Sequence, residues 1–178
     1  MPRYIVPDPV TQSALNVGFE IMLLGEMPRW VLHFDDAAEQ MPMVACLEAA
    51  LLHSRALIEF LFGRPRTDGT RHRKASDESP RRFGTSWQAN NPTAFDGWLD
   101  MIDKHLVHLS MNRVGNTSTA PAHFLTDIVD GLLAEVNDFV KALERDNSGQ
   151  LTQFKAALAQ AKVQRMKDPR PWPSSQTS

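Results

Sequence analysis

Two histidines three residues apart, His105 and His108, are the side chains in this chain best suited to acid–base chemistry, because imidazole titrates near neutral pH. They lie in a segment with helical spacing of apolar residues, and positions i and i+3 of a helix share a face. The pair could therefore bind one metal ion, or bracket one substrate as base and acid. The alternative is structural, with His105 bonded to a neighbouring helix and His108 exposed. A single helical pair of histidines does not decide between these interpretations.

A second group of polar residues, His53, Arg55 and Glu59, lies in an otherwise apolar segment. Arg55 and Glu59 have the i, i+4 spacing of an intrahelical ion pair, which is worth only about 0.2–0.5 kcal/mol. If these groups face the interior they need polar partners, and a histidine, aspartate or arginine of the next helix would supply them. The histidines also suggest an alternative function, a metal-binding helical bundle with His53, His105 and His108 as ligands.

The segment 63–82 is rich in arginine and is the best candidate for binding a polyanion. Guanidinium groups pair with phosphates, and the release of counterions makes such binding sensitive to salt. Phe83 and Trp87 follow this segment and could stack on bases. The alternative is a solvated loop whose aromatic end packs back on the protein. The candidate nucleic-acid-binding residues are Arg71, Arg73, Lys74, Arg81 and Arg82.

Charge is unevenly distributed along the chain. The 178 residues include 19 Lys and Arg and 21 Asp and Glu, a net charge of −2 that does not indicate a strongly basic nucleic-acid binder. Residues 1–62, however, hold 3 basic and 8 acidic residues (net −5), whereas residues 63–82 hold 7 and 3 (net +4). Residues 121–146 hold 2 and 6 (net −4), and residues 147–178 hold 5 and 1 (net +4). The sequence predicts an acidic body with two basic appendages, which are the places where a polyanion would bind.

Helical periodicity dominates the pattern of apolar residues, and alternation typical of strands is scarce. The predicted main helices cover roughly residues 9–24, 42–61, 91–112 and 120–146. Pro28 is expected to interrupt the first helix, and Asn91 is expected to cap the third, with Pro92 at its first helical position. The predicted fold class is all-α, an up-and-down four-helix bundle over residues 1–146 with a basic loop at about 63–90. Residues 147–178 are predicted to form a C-terminal helical extension, with a weaker helix from Leu151 to Met166 and a disordered Pro/Ser tail.

The compartment is expected to be the cytoplasm. Cys46 is the one cysteine, so the chain has no internal disulfide, and its apolar neighbours predict a buried small hydrophobe. The N-terminus has no export-signal pattern, and no stretch has the roughly 18 apolar residues of a transmembrane helix. We therefore expect no membrane association. No Gly-rich phosphate loop or HExxH motif is present, so we expect no cofactor.

Residues 50–61 and 102–113 together resemble a group of short bacterial proteins that carry these two signatures on successive helices. The wider architecture, over roughly residues 40–145, is similar to the HEPN superfamily of helical bundles, many of which are RNases of toxin–antitoxin and phage-defence systems. The resemblance implies a homodimer and, if the chain is an enzyme, a metal-independent RNase. Active HEPN nucleases have an arginine four to six residues before the late-helix histidine. This chain has none at those positions before His105 or His108, so Arg55 or Arg113 would have to take that role.

The function that follows from this resemblance is that of a HEPN-like bacterial module of defence or stress type, non-catalytic or atypical, which contacts RNA or a protein partner. If it cleaves RNA, His105 and His108 would share the base and acid roles, and Arg55 and Arg113 would stabilise the pentavalent phosphate. Beside the metal-binding bundle, a further alternative is an interaction protein without a small-molecule site.

Overall fold

The computed structural model describes residues 7–35, 40–66, 68–73, 78–112 and 120–166, and within these ranges the chain is built mainly of helices. The helices are α1 (Pro9–Asp35), α2 (Gln40–Phe62), α3 (Asp96–Asn112), α4 (Ala120–Arg145) and α5 (Leu151–Met166). An antiparallel pair of two-residue strands, β1 (Arg64–Pro65) and β2 (Arg71–His72), and a 3₁₀ turn (Pro80–Phe83) lie between α2 and α3. The predicted all-α fold class is confirmed. Among the described residues, no helix is both long enough and apolar enough to cross a membrane.

The start of α1 is set by Asp8, which acts as its N-cap. The carboxylate accepts hydrogen bonds from the backbone N–H groups of Val10 and Thr11, both at 3.0 Å, and from the Thr11 hydroxyl at 2.6 Å. These bonds satisfy donors that the first turn of a helix leaves without partners. The hydroxyl and N–H of Thr11 lower the pKa of the Asp8 carboxyl, so the cap is retained well into the acidic range.

The prediction that Pro28 interrupts the first helix is wrong, because α1 continues through it to Asp35. A proline inside a helix removes one backbone hydrogen bond and crowds the preceding turn. Here the helix is held on both sides by burial, since Leu24 is 0% and Val31 is 2% exposed. Tertiary packing therefore outweighs the local cost of the proline.

Two pairs of consecutive helices, α2 with α3 and α4 with α5, run in opposite directions. The ring of Phe62 on α2 stacks at 5.0 Å on that of Phe95, directly before α3, and Arg55 of α2 pairs with Asp103 of α3. On α4 and α5, Lys155 contacts Glu144 at 2.6 Å, and Arg165 contacts Asp130 at 2.9 Å. In both pairs the residue number rises on one helix as it falls on the other. These two pairs are therefore antiparallel, as expected for neighbouring helices of an up-and-down bundle.

The C-terminal helix α5 is part of the same core as the other helices. It runs parallel to α1, with Ala157 beside Gly18 and Ala161 beside Gly25. Phe154 is fully buried, and its ring lies 5.0 Å from that of Phe83 and 5.1 Å from that of Phe139. The helix predicted from Leu151 to Met166, within the predicted extension 147–178, is therefore packed into the core of the bundle.

In the segment after α2, the residues that the structure describes include a short hairpin and a buried aromatic end. A short hairpin pairs Arg64 with His72, and its turn contains Gly69 at φ +78°. Further along, Phe83 is 2% and Trp87 is 9% exposed. The interpretation in which the aromatic end packs back on the protein is confirmed, and Phe83 is too deeply buried to stack on a base.

The third helix begins later than predicted. Asn91 accepts hydrogen bonds from the N–H and hydroxyl of Thr93, and successive turns follow before α3 begins at Asp96. The prediction that Pro92 is the first helical residue is wrong. An asparagine side chain that bonds to the backbone two residues on forms an Asx turn, and this local structure replaces the first helical turn.

Candidate anion-binding site

The guanidinium group of Arg73, directly after β2, closes the C-terminal end of α2. Its Nη1 donates to the carbonyl oxygens of Glu59 (3.2 Å) and Phe60, and its Nη2 donates to that of Leu61 (2.7 Å). The last carbonyl groups of a helix have no partners within the helix and carry its partial negative charge. A cation with several donors at this position gives these carbonyl groups hydrogen-bond partners and offsets their negative charge.

Arg71 extends the same contact to the next two carbonyl groups. Its Nε donates to Phe62 at 2.7 Å, and its Nη2 donates to Gly63 at 2.8 Å. The chain turns away from the helix at Gly63, whose φ of +74° favours glycine. Because residues 71 and 73 are two apart on an extended segment, both side chains lie on the same side of it.

Arg71 also ties this region to α3. Its Nη1 donates to Oδ1 of Asp96, the first residue of α3, at 2.7 Å. An acidic side chain at a helix N-terminus interacts favourably with the helix dipole. Arg71 therefore joins the C-terminus of α2 to the N-terminus of α3, and Asp96 offsets part of its charge.

Beside these arginines lies an open cavity of about 450 Å³ that is lined by both polar and apolar residues, which we call its polar wall and its apolar wall. The polar wall is formed by Arg71, Arg73, Ser79, Arg81 and Gln88. The apolar wall is formed by Leu61, Phe62, Pro80, Trp87, Ala89 and Pro92. Arg81 is exposed, and its side chain makes no hydrogen bond or ion pair with any residue that the structure describes. Its guanidinium group is the one most available to a ligand.

The wall that carries Trp87 is fixed by Asp146, just after α4. Its Oδ2 accepts from the Ser86 N–H at 2.7 Å, the Thr85 hydroxyl at 2.9 Å and the Ser86 hydroxyl at 3.0 Å. The same bonds, first that from the Ser86 N–H, lower the pKa of the Asp146 carboxyl. Thr85 in turn accepts from the Trp87 N–H at 3.1 Å. The wall is therefore held in place without a ligand.

Three of the five predicted nucleic-acid-binding residues meet at this cavity: Arg71, Arg73 and Arg81. Arg82 points elsewhere and pairs with Glu78 at 3.2 Å. Lys74 lies outside the described residues.

Among the predicted catalytic residues, the structure describes the side chain of Arg55. It contacts Glu59 on its own helix and Asp103 on α3, each at 2.9 Å, and Glu59 also accepts from Arg64 at 2.7 Å. The expectation that α3 supplies a polar partner is confirmed with an aspartate. The guanidinium group of Arg55 is therefore held by ion pairs within the protein.

The predicted histidine pair cannot be placed in this network. His105 and His108 lie on α3, but their side chains are outside the described part of the structure, as is the whole of Arg113.

His53 lies on a different side of α2 from Arg55. Its Nδ1 is 2.5 Å from Oε2 of Glu20 on α1, whereas Arg55 faces α3. In the described ranges no group of three or more His, Cys, Asp or Glu side chains is arranged to hold a metal ion. Cys46 is half-buried against the core, and burial raises the pKa of its thiol, as expected for a packed small hydrophobe.

Sequence reasoning missed Asp96, Ser79 and Gln88 as parts of the site, and it missed the capping role of Arg71 and Arg73. One signal was present: Asp68-Gly69 between two short extended runs is typical of a hairpin turn. A hairpin directly after a helix would have placed its arginines near that helix's C-terminus.

Comparison with models of known protein families, with curated proteins and with solved structures found no match.

Proposed function

We propose that this chain is an RNA-binding helical module, of the HEPN-like type suggested by residues 50–61 and 102–113, and that RNA contacts it at the cavity beside the α2 C-terminus. The observation that carries the proposal is the convergence of Arg71, Arg73 and Arg81 on one cavity of about 450 Å³. Arginine binds phosphate through two parallel donors, which makes it the preferred residue for such contacts.

The distribution of charge supports an anionic ligand at this end of the molecule. Asp96 offsets the charge of Arg71, whereas Arg81 is exposed and makes no hydrogen bond or ion pair with any described residue. The acidic residues of segments 1–62 and 121–146 direct a polyanion away from the body of the bundle. The positive charge is thus local, although the whole chain is near neutral.

The proposal is one of binding and does not depend on cleavage. Arg55 pairs with Glu59 and Asp103 and is not among the residues that line the cavity. Cleavage by His105 and His108, the homodimer, and a role in defence or stress stay predictions from the resemblance.

Two adjacent arginines permit a matched test. Arg81→Ala and Arg82→Ala remove the same charge from neighbouring exposed positions, but Arg81 lines the cavity and Arg82 pairs with Glu78. Anisotropy of a labelled short oligouridylate, titrated with untagged protein at several salt concentrations, measures affinity and salt dependence. We expect Arg81→Ala to weaken binding about tenfold and to reduce the salt slope by about 0.7 for each lost phosphate contact.

Arg82→Ala should bind nearly as tightly as the wild type. Equal losses in the two variants would show that binding depends on overall charge and would contradict a site at the cavity. No binding by the wild type would exclude the function itself and favour an interaction protein.

A further inference from the structure

The two walls of the cavity call for different chemical groups in one ligand. An inorganic phosphate would engage the guanidinium groups but would leave the apolar wall exposed to water. A purely apolar ligand would leave Arg81 without a partner. A nucleotide carries a flat ring and a phosphate a short distance apart, so it covers both walls at once.

The apolar wall exists before any ligand binds. Trp87 is 9% exposed, with its ring 6.4 Å from that of Phe62 and 5.9 Å from that of Phe139. Because these rings lock its orientation, a base entering the cavity would meet a surface that needs no rearrangement. Gln88 is exposed and lines the cavity, and its amide can donate to and accept from a base edge.

We infer that the cavity takes a single nucleotide of single-stranded RNA, with the base against the apolar wall and the phosphate on the arginines. The inference rests on the proposed RNA-binding function and names the unit that is recognised. The volume of about 450 Å³ lies in the range of about 300–1,000 Å³ found for small-molecule pockets. A duplex keeps its bases stacked and paired, so it cannot insert one without paying the cost of unstacking.

A competition experiment separates recognition of the base from recognition of the charge. Labelled oligouridylate bound to the wild-type protein is displaced by uridine 5′-monophosphate, or by ribose 5-phosphate, which has the same sugar and phosphate but no base. We expect the nucleotide to displace the probe at about tenfold lower concentration. An unlabelled single strand should likewise compete better than a duplex with the same number of phosphates.

Filling the apolar part of the cavity should remove the advantage of the nucleotide over ribose 5-phosphate as a competitor. Ala89 is partly buried in the apolar wall. With Ala89→Phe, the nucleotide and ribose 5-phosphate should therefore displace the probe at similar concentrations. Ala134→Phe, at an exposed position of α4, is the control and should behave as the wild type. Thermal unfolding checks that each variant is folded. Gln88→Ala, at an exposed position, is a second variant. It should reduce the difference between the displacing concentrations of the two competitors without disturbing the core.

The outcomes distinguish this inference from the function on which it rests. Equal displacement by nucleotide and ribose phosphate, while RNA still binds through Arg81, would overturn the nucleotide pocket and leave RNA binding intact. Failure of the wild type to bind the probe would overturn both.

Discussion

Arg71 and Arg73 have partners inside the protein before any ligand arrives. Together they donate to the carbonyl groups of residues 59–63. A planar guanidinium group can reach several acceptors in fixed directions, whereas an ammonium group is a point charge on a flexible stem. At these two positions the geometry of arginine therefore matters as much as its charge.

Arg73→Lys is expected to destabilise the fold although it keeps the charge. The three carbonyl groups are reached from two separate nitrogens of Arg73, whereas all donors of lysine are on one nitrogen. Hydrogen bonds to charged groups are worth about 1.5–3 kcal/mol, of which lysine would retain a part. We expect a loss of about 1 kcal/mol, or roughly 2–4 °C in Tm, measured by thermal unfolding. Arg66→Lys, at an exposed position of the same hairpin, is the control and should leave Tm unchanged.

Asp146 makes stability depend on acid pH. The pKa of the Asp146 carboxyl is lowered in the folded state, first by the Ser86 N–H. Its contribution to the free energy of unfolding is therefore full above the pKa of the unfolded state, near 3.9. The contribution is lost as the pH falls through the lower pKa of the folded state. Between about pH 5 and about pH 3, Asp146→Asn should therefore lose less Tm than the wild type. At neutral pH the variant should already be less stable. Parallel curves over this range would contradict the assignment.

At the scale of elements, α1 and α5 approach each other closely at a glycine. A Cβ on Gly25 would lie 2.4 Å from the Ala161 carbonyl oxygen and 2.6 Å from its Cα. These are backbone atoms, which cannot move aside as a flexible side chain can. The glycine is therefore required by the distance between the helices.

The same substitution at two helical glycines should have opposite effects. Gly25→Ala should destabilise the protein by about 1–3 kcal/mol, the usual cost of overpacking, because α5 must shift. Gly97→Ala places its methyl group in open space on α3 and should gain up to about 1 kcal/mol from lower backbone entropy in the unfolded chain. Urea unfolding measures both, and a stabilised Gly25→Ala would show that the helices are further apart.

At the scale of the whole molecule, one aromatic core joins elements distant along the chain. Phe83 of the 3₁₀ turn, Phe139 of α4 and Phe154 of α5 contact one another, with ring centroids 5.0–6.5 Å apart. Phe60 of α2 packs on the first two. Phe139 also lies 5.9 Å from Trp87, which lines the cavity, so packing of α5 on Phe139 supports that part of the lining.

Truncation of Phe154 should destabilise the whole bundle. Phe154→Ala removes a fully buried ring, at a cost of about 3–5 kcal/mol, which corresponds to a fall in Tm of roughly 10 °C or more. Met166→Ala on the same helix changes a side chain that is 85% exposed and should have almost no effect. Scanning calorimetry of both variants tests whether α5 is integral to the core.

Helix content and most helix ends could be predicted because they depend on local pattern. The prediction for α5, from Leu151 to Met166, matches the structure, and α4 ends within one residue of its predicted end. Where the prediction was wrong, at Pro28 and at the start of α3, a local preference competed with another interaction. At Pro28 tertiary burial prevailed, and at Asn91 a side-chain turn replaced the helical one.

The amino-acid sequence by itself determined the helical class and the location of the positive charge, since both depend on residue type and short spacing. Only the tertiary structure decided that Arg71 and Arg73 close α2, that Arg81 is left exposed beside them, and that His53 and Arg55 face different neighbours. The physical reason is that burial, ion pairing and the shape of a cavity arise from residues far apart in the chain. Asp146 holding Ser86 across sixty positions is one such contact, and no local pattern encodes it.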